Sequence, residues 1–171
     1  MNRQRSRILT ATAAGSALVA AALAVLPAQA TPPSKDLATT ILAKSLFDEI
    51  HVKAHTPTSD RWNAKIKTHG QSEVYVVDNK LPPGATTGWH SHPGPSLILV
   101  VAGTVTNYQG DDLGCTPHAY TAGAGFIDPG GGYVHMLRNE ADAPAETIAV
   151  QLLPKGAARR IDVPDPGNCP F

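Results

Sequence analysis

The chain has 171 residues, 14 acidic and 14 basic side chains, and an aromatic content of only 5%. It has no cluster of basic residues after its first few positions and few rings on which bases could stack, which argues against nucleic acid as a partner. Fifteen glycines and fifteen prolines predict many turns and few long helices, a composition that suits an all-β chain.

Residues 1–30 have the pattern of a secretory signal peptide. Three arginines precede an apolar stretch over residues 8–26, and Ala28-Gln29-Ala30 supplies the small residues of a cleavage site. An uncleaved membrane anchor is the alternative, because the apolar stretch approaches membrane-spanning length. We favour cleavage, which leaves 141 residues with 11 basic and 14 acidic side chains, a formal charge of −3. The sequence therefore predicts a secreted protein without a membrane partner.

Residues 37–52 lie within an N-terminal segment, residues 31–71, and give mixed signals. Leu42, Leu46 and Ile50 are spaced as on one face of a helix, whereas the last three residues of the stretch alternate like a strand. We expect an irregular segment here, and the sequence does not decide between helix and strand.

Residues 72–153 consist of short apolar segments separated by turn-forming residues. Eight segments have the character of strands: 74–77, 86–92, 96–102, 104–109, 119–121, 125–127, 134–139 and 147–153. Turn signals at intervals of about eight to twelve residues are typical of an all-β sandwich or small barrel.

Cys115 and Cys169 are the two cysteines of the chain. In an oxidising compartment such a pair forms a disulfide more often than a metal site or two reactive thiols. We expect the bridge to tie a C-terminal tail, residues 154–171, to the barrel, because the tail has little apolar surface with which to dock.

Three histidines carry the strongest chemical signal. His90 and His92 are two residues apart and therefore share one face if they lie on a strand. His135 follows a glycine-rich turn and lies on another predicted strand. Neutral imidazoles that converge inside a sheet are common ligands of divalent transition metals. No aspartate or glutamate follows closely after His92 to complete a mixed set of ligands.

These histidines belong to two motifs that resemble those of the cupin superfamily. The first motif comprises Gly84, His90, His92, Ser96 and Gly103. The second, with one extra glycine in its turn, comprises Gly123, Pro129, Gly132, His135 and Asn139. The resemblance covers residues 72–153 and implies a double-stranded β-helix, or jelly-roll barrel. It also implies one divalent metal in the mouth of the barrel, held by the three histidines.

The glutamate ligand of the family falls on Ser96 in this chain. Three imidazoles leave a divalent ion at about +2, which acidifies bound water and attracts anionic ligands such as carboxylates or enolates. The sequence does not choose among iron, zinc, copper, manganese and nickel. We expect His69 and His118 on the surface rather than in place of the missing ligand.

Strand alternation suggests further residues that line the cavity: Ser96, Gln151 and Tyr75. The leading hypothesis from the resemblance is a metal-dependent oxidoreductase of dioxygenase type that acts on a small organic substrate. The alternative is a non-catalytic barrel that captures a small ligand or a metal. Cupins often pair, so residues 31–71 are also a candidate arm of a homodimer.

Overall fold

The computed structural model describes residues 29–56 and 59–171. Within these ranges the chain consists of strands, turns and loops and has no helix, which confirms the predicted all-β class. It follows that no described helix is long and apolar enough to cross a membrane. The predicted signal peptide lies almost wholly outside the described residues.

The strands of the described residues are, in chain order, β1 (Ala38–Phe47), β2 (His51–Thr56), β3 (Ser59–Lys67), β4 (Ser72–Leu81), β5 (His90–Ser91), β6 (Ser96–Ala102), β7 (Thr104–Gln109), β8 (His118–Thr121), β9 (Gly125–Asp128), β10 (His135–Arg138), β11 (Ala145–Pro154) and β12 (Ile161–Asp162). Ten of them form two antiparallel five-stranded sheets. The first sheet has the order β1-β4-β11-β6-β9, and the second has the order β12-β5-β10-β7-β8. This arrangement is the predicted double-stranded β-helix.

The two sheets pack face to face through apolar side chains. One cluster joins Leu81 and Val100 of the first sheet to Val105 and Leu137 of the second, all of them nearly inaccessible to solvent. These residues face inward because side chains alternate along each strand. The cluster forms an apolar part of the barrel interior.

Strand β11 shows how part of the barrel interior becomes polar. Its buried positions alternate with half-buried ones along the whole strand. Among the inward residues, Thr147 and Gln151 are polar and almost fully buried. A buried polar side chain needs a hydrogen-bond partner or a ligand. Thr147 and Gln151 therefore indicate a part of the interior that could bind a ligand.

The N-terminal segment departs from a regular barrel. Strand β1 pairs with the edge of β4 over its whole length, from Ala38 opposite Lys80 to Phe47 opposite Ser72, with one register shift. This pairing satisfies backbone groups of β4 and decides for strand over helix in residues 38–47. Strands β2 and β3 form a separate hairpin outside the two sheets.

The C-terminal tail is attached by three kinds of contact. The predicted disulfide between Cys115 and Cys169 is present, with the two Cα atoms 5.2 Å apart. Strand β12 pairs with β5 of the second sheet. Asn168 donates side-chain hydrogen bonds to two carbonyl oxygens of the barrel, 2.7 and 2.8 Å away. The tail is therefore part of the barrel rather than an appendage pinned at one point.

Candidate metal centre

The three predicted histidines come together inside the barrel. His90 lies directly opposite His135 where β5 pairs with β10, and their Nε2 atoms are 3.1 Å apart. His92, two residues further on, has its ring centroid 4.9 Å from that of His90 and 5.6 Å from that of His135. All three side chains are at least 95% buried.

Main-chain carbonyl groups orient two of the three imidazoles, whereas His135 Nδ1 is buried without a hydrogen-bond partner among the described residues. His90 Nδ1 lies 2.8 Å from the oxygen of Gly88, and His92 Nδ1 lies 2.6 Å from the oxygen of Arg159. A carbonyl oxygen only accepts, so each Nδ1 carries the hydrogen and each Nε2 keeps a free lone pair. This is the arrangement in which histidine binds a metal through Nε2.

The environment of the cluster keeps the histidines neutral. Burial is the main cause that lowers the pKa of each of the three, and the positive charge of Arg160 lowers all three further. For His135 the pKa falls to about 3. A histidine must be neutral to bind a metal, so no proton competes for these lone pairs near neutral pH.

The donor set fits a divalent transition-metal ion. The candidate ligand atoms of the three histidines lie within 4.8 Å of one another. Two nitrogen ligands that are each about 2.1 Å from one divalent ion are about 3.0 Å apart at octahedral angles and about 3.4 Å apart at tetrahedral angles. The 3.1 Å between His90 Nε2 and His135 Nε2 meets this requirement. The three buried histidines can therefore bind a metal ion, although their geometry does not select one element.

A cavity of about 240 Å³ opens beside the histidines. Its wall on the first sheet is largely polar and includes Thr39, Asn79, Thr147 and Gln151. Apolar lining comes from Ile98, Leu137 and Ala149. The volume lies just below the usual range for drug-sized ligands, so the cavity suits a small molecule.

The three residues suggested for the cavity have different positions. Ser96 and Gln151 line it, and Gln151 Nε2 donates a hydrogen bond to Ser96 Oγ, 3.2 Å away. Tyr75 is not among the lining residues. It faces inward but packs in an apolar cluster with Val77, and its hydroxyl donates to a carboxylate oxygen of Glu73, 2.8 Å away.

The two histidines outside the motifs do not join the cluster. His69 has an 81% exposed side chain whose Nδ1 lies 3.7 Å from a carboxylate oxygen of Glu49. His118 begins β8, at the far edge of the second sheet from β5. Neither belongs to the group of residues close enough together to share a metal ion.

The C-terminal tail contributes two arginines to the cavity, which the sequence interpretation missed. Arg160 donates from Nε to Asp162 and from Nη2 to the main-chain oxygen of Thr87. Arg159 donates from Nη1 to Gln151 Oε1, 3.3 Å away, and has no carboxylate partner among the described residues. Burial lowers the pKa of both guanidinium groups, which nevertheless stay charged at neutral pH. The adjacent pair Arg159 and Arg160 was the only feature of the tail sequence that could have indicated this contribution.

Asp128 is the other residue near the histidines that the sequence interpretation missed. Its side chain is fully buried, and Oδ2 lies 3.8 Å from His92 Nε2 and 3.9 Å from His135 Nε2. Oδ1 accepts a hydrogen bond from the main-chain N–H of Gly130, 2.9 Å away, whereas Oδ2 has no hydrogen-bond partner. Burial raises the pKa of this carboxyl, and the Gly130 N–H and His92 act in the opposite direction.

The glycine-rich turn after Asp128 explains how the carboxylate reaches this place. Gly130 has a φ of +69°, in the left-handed region, and a Cβ atom there would collide with the main chain of Gly94. Only glycine fits such a position. The close approach of the two loops brings Asp128 and His135 to the same side of the barrel as His92.

Comparison with known proteins points to one family. Residues 78–151 match the model of the Cupin domain family. No curated protein matches the sequence.

Several solved structures are similar. A cupin superfamily protein from Desulfitobacterium hafniense is 13% identical, with 70% of this chain and 79% of that chain covered and a TM-score of 0.46. A protein with a double-stranded β-helix domain from Klebsiella pneumoniae is 20% identical, with coverages of 68% and 84% and a TM-score of 0.45. A cupin domain from Bordetella pertussis is 24% identical, with coverages of 46% and 80% and a TM-score of 0.40.

The matched range contains all three clustered histidines and the whole of both motifs. Ser96 is also within it. Residues 78–151 match the Cupin domain family and form a domain of this kind.

Proposed function

We propose that the protein is an exported metal-binding cupin in which His90, His92 and His135 hold one divalent transition-metal ion. The observation that carries the proposal is the gathering of three buried, neutral imidazoles whose candidate ligand atoms lie within 4.8 Å of one another. A bound metal would supply Lewis-acid or redox chemistry to a molecule in the adjoining cavity. The chain's own residues determine which molecule enters.

The occupant that the cavity supports best is a small organic anion. Arg159 is a partly buried cation without a carboxylate partner among the described residues, and partial desolvation of such a charge is unfavourable. An anionic ligand would offset this cost. Gln151 accepts a hydrogen bond from Arg159 and donates one to Ser96, so the polar wall is already ordered around the guanidinium group. The small volume excludes large substrates.

The proposed reaction class is oxidation of this small molecule by dioxygen, as in a metal-dependent dioxygenase. Apart from the three candidate metal ligands, the described residues that line the cavity include neither a histidine nor a carboxylate that could serve as a general base. A hydrolase or an isomerase would need such a group within hydrogen-bond reach of its substrate. The chain's contribution would be to bind and orient the anion through Arg159 and to limit access of water.

Metal analysis of the purified protein tests the proposal. The protein is stripped with a chelator, reconstituted in turn with iron, zinc, copper, manganese and nickel, and assayed for bound metal. We expect about one ion per chain in the wild type and a large loss in His90→Ala. His69→Ala is the matched control, because His69 is exposed and outside the cluster. Substoichiometric metal in the wild type, unchanged by His90→Ala, would refute the metal site.

Oxygen consumption separates the dioxygenase from a non-catalytic binding barrel. The unpaired Arg159 would also suit simple capture of an anion, which is why the binding barrel is retained as the second candidate. Thiols, diketones and phenols, including carboxylated forms, are offered to the metal-loaded protein in an oxygen electrode. Uptake that requires both metal and substrate supports the dioxygenase, whereas tight binding without uptake supports the binding barrel.

Export is a further part of the proposal. The disulfide between Cys115 and Cys169 supports an oxidising compartment. Thr31 would become the first residue after cleavage, and it is attached to the domain: its Oγ1 accepts from the Trp89 N–H, and its own N–H donates to Val163 O. N-terminal sequencing of protein recovered outside the cytoplasm should begin at Thr31; retention of residues 1–30 would contradict cleavage.

We also infer a homodimer, supported by the outer face of the first sheet. Leu97, Leu99 and Val101 of β6 and Ile127 of β9 are all about half exposed or more, and Leu97 lies directly opposite Ile127. A contiguous apolar patch on a sheet is typical of an interaction surface. Light scattering should give twice the chain mass for the wild type and the monomer mass for Leu97→Asp. If residues 31–71 act as a dimer arm, a variant that lacks them should be monomeric.

A further inference from the structure

We infer that Asp128 is the fourth protein ligand of the metal site and supplies the carboxylate that Ser96 does not. This inference rests on the proposed function, because it names an additional residue of the same site. It is carried by the position, the distances and the unsatisfied oxygen of Asp128.

The pairing of β6 with β9 places Asp128 directly opposite Ser96. Residues that face each other across an antiparallel pair project to the same side of the sheet. Both side chains are 1% exposed, inside the barrel. The carboxylate therefore enters from the neighbouring strand at the level of the barrel where the family motif has its glutamate.

The distances from Asp128 are those of a group that shares an ion with two histidines. Two atoms that are each about 2.1 Å from one ion lie at most about 4.2 Å apart. Asp128 Oδ2 is 3.8 Å from His92 Nε2 and 3.9 Å from His135 Nε2. Both separations are too long for direct hydrogen bonds and short enough for an ion shared with these two histidines. Asp128 is not among the residues whose ligand atoms all lie within 4.8 Å of one another, so sharing the same ion with His90 as well requires a small movement of its side chain.

The burial of Asp128 supplies an energetic reason for a cation. Oδ1 is satisfied by the Gly130 N–H, but Oδ2 is buried without any hydrogen-bond partner. A buried carboxylate oxygen without a partner is strongly unfavourable, and the neutral histidines do not supply a compensating charge. A divalent ion among these groups would offset the penalty directly.

A fourth ligand would change the character of the site. The carboxylate would reduce the formal charge of a divalent site from about +2 to about +1, and it would occupy one of the coordination positions that three histidines leave open. Attraction of an anionic molecule would then depend more on Arg159 and Arg160 than on the metal.

The variant Asp128→Asn separates a ligand from a structural residue. The asparagine side-chain oxygen can still accept from the Gly130 N–H, so the turn is preserved, while the negative charge is removed. Substitutions in the outer shell of a metal site cost about 10- to 100-fold in affinity, so loss of a direct ligand should exceed about 100-fold. Asp142→Asn, at an exposed carboxylate, is the matched control. Zinc is the probe, titrated against a competing chelator.

A second measurement excludes misfolding as the cause. In the metal-free protein, Asp128→Asn should not lower the thermal unfolding temperature, because it replaces a buried charge whose Oδ2 is unsatisfied. Added zinc should raise that temperature in the wild type and much less in the variant. The double variant Ser96→Glu/Asp128→Asn should recover affinity at least 10-fold, since a carboxylate returns from the opposite strand.

The outcomes distinguish this inference from the proposed function. Tight zinc binding by the wild type with a loss below about 100-fold in Asp128→Asn would overturn the ligand role of Asp128 and leave the three-histidine site standing. A lower unfolding temperature of the metal-free variant would also overturn it, in favour of a purely structural carboxylate. Failure of the wild type to bind zinc, iron, copper, manganese or nickel would overturn both.

Discussion

His92 donates its Nδ1 hydrogen to the main-chain oxygen of Arg159, 2.6 Å away, and this bond joins the metal centre to the C-terminal tail. The same arginine extends its side chain into the cavity and donates to Gln151. One tail residue thus orients a candidate metal ligand through its backbone and lines the cavity with its side chain. The two roles can be separated, because a substitution at Arg159 removes only the second.

Arg159→Met should weaken anion binding and leave metal binding intact. A hydrogen bond to a charged group contributes about 1.5–3 kcal/mol, so we expect about a 10- to 100-fold loss of affinity for a small carboxylate. Methionine keeps much of the aliphatic volume, and the carbonyl that accepts from His92 is unchanged. Calorimetric titration of the zinc-loaded protein with acetate and malonate measures the effect. Lys155→Met, at an exposed amine, is the control; equal affinities in all three proteins would contradict an anion site at Arg159.

Loss of the disulfide should destabilise the fold. The bridge joins residues 54 positions apart, and in the chain-entropy model a loop of this size contributes about 4 kcal/mol. We therefore expect the double variant Cys115→Ser/Cys169→Ser to lose about that much free energy of unfolding in a urea titration. The wild type under reducing conditions should show a similar loss. Unchanged stability in both would mean that β12 and the hydrogen bonds of Asn168 suffice to hold the tail.

The site residues that could be predicted lie in local sequence motifs, whereas Asp128, which was missed, depends on how distant strands pair. His90, His92 and His135 could be found because their spacing within two local motifs already fixes their faces. Asp128 could not, since its role depends on the register between β6 and β9, which places it opposite Ser96. The interpretation searched for a carboxylate close after His92, whereas the available one is contributed by another strand.

Alternation along a strand predicts which side chains face the interior, but not which of them line the cavity. Tyr75 and Gln151 do face the interior, where both are at most 8% exposed. The interior, however, contains apolar clusters as well as the cavity, and Tyr75 packs in one of these clusters. The contribution of Arg159 depends on the path of the tail, which no periodicity encodes.

Ser96→Glu should tighten metal binding and weaken anion binding. Ser96 lines the cavity beside the histidines, so a glutamate there would bring a further carboxylate to the ion. We expect at least a 10-fold gain in zinc affinity, together with a loss of acetate affinity because the added negative charge lies near Arg159. Ser96→Gln is the matched control, since it has the same length and no charge. Unchanged zinc affinity would mean that position 96 does not reach the ion.

Acidification should destabilise the metal-free protein between about pH 6.5 and pH 3. Burial lowers the pKa of all three clustered histidines, to about 3 for His135, whereas in the unfolded chain the value is about 6.5. Within this window the unfolded state binds more protons, so the free energy of unfolding falls as the pH falls. The raised pKa of Asp128 acts in the opposite direction, but it is one group against three.

Chemical denaturation at a series of pH values measures this dependence, with His135→Asn expected to flatten it. His69→Asn, at an 81% exposed side chain, is the matched control and should retain the wild-type slope. Saturation with zinc should shift the acid transition to lower pH, because protons must then displace the ion before the histidines can charge. A free energy of unfolding that stays constant from pH 6.5 to pH 4 would show that these imidazoles are not held neutral by burial.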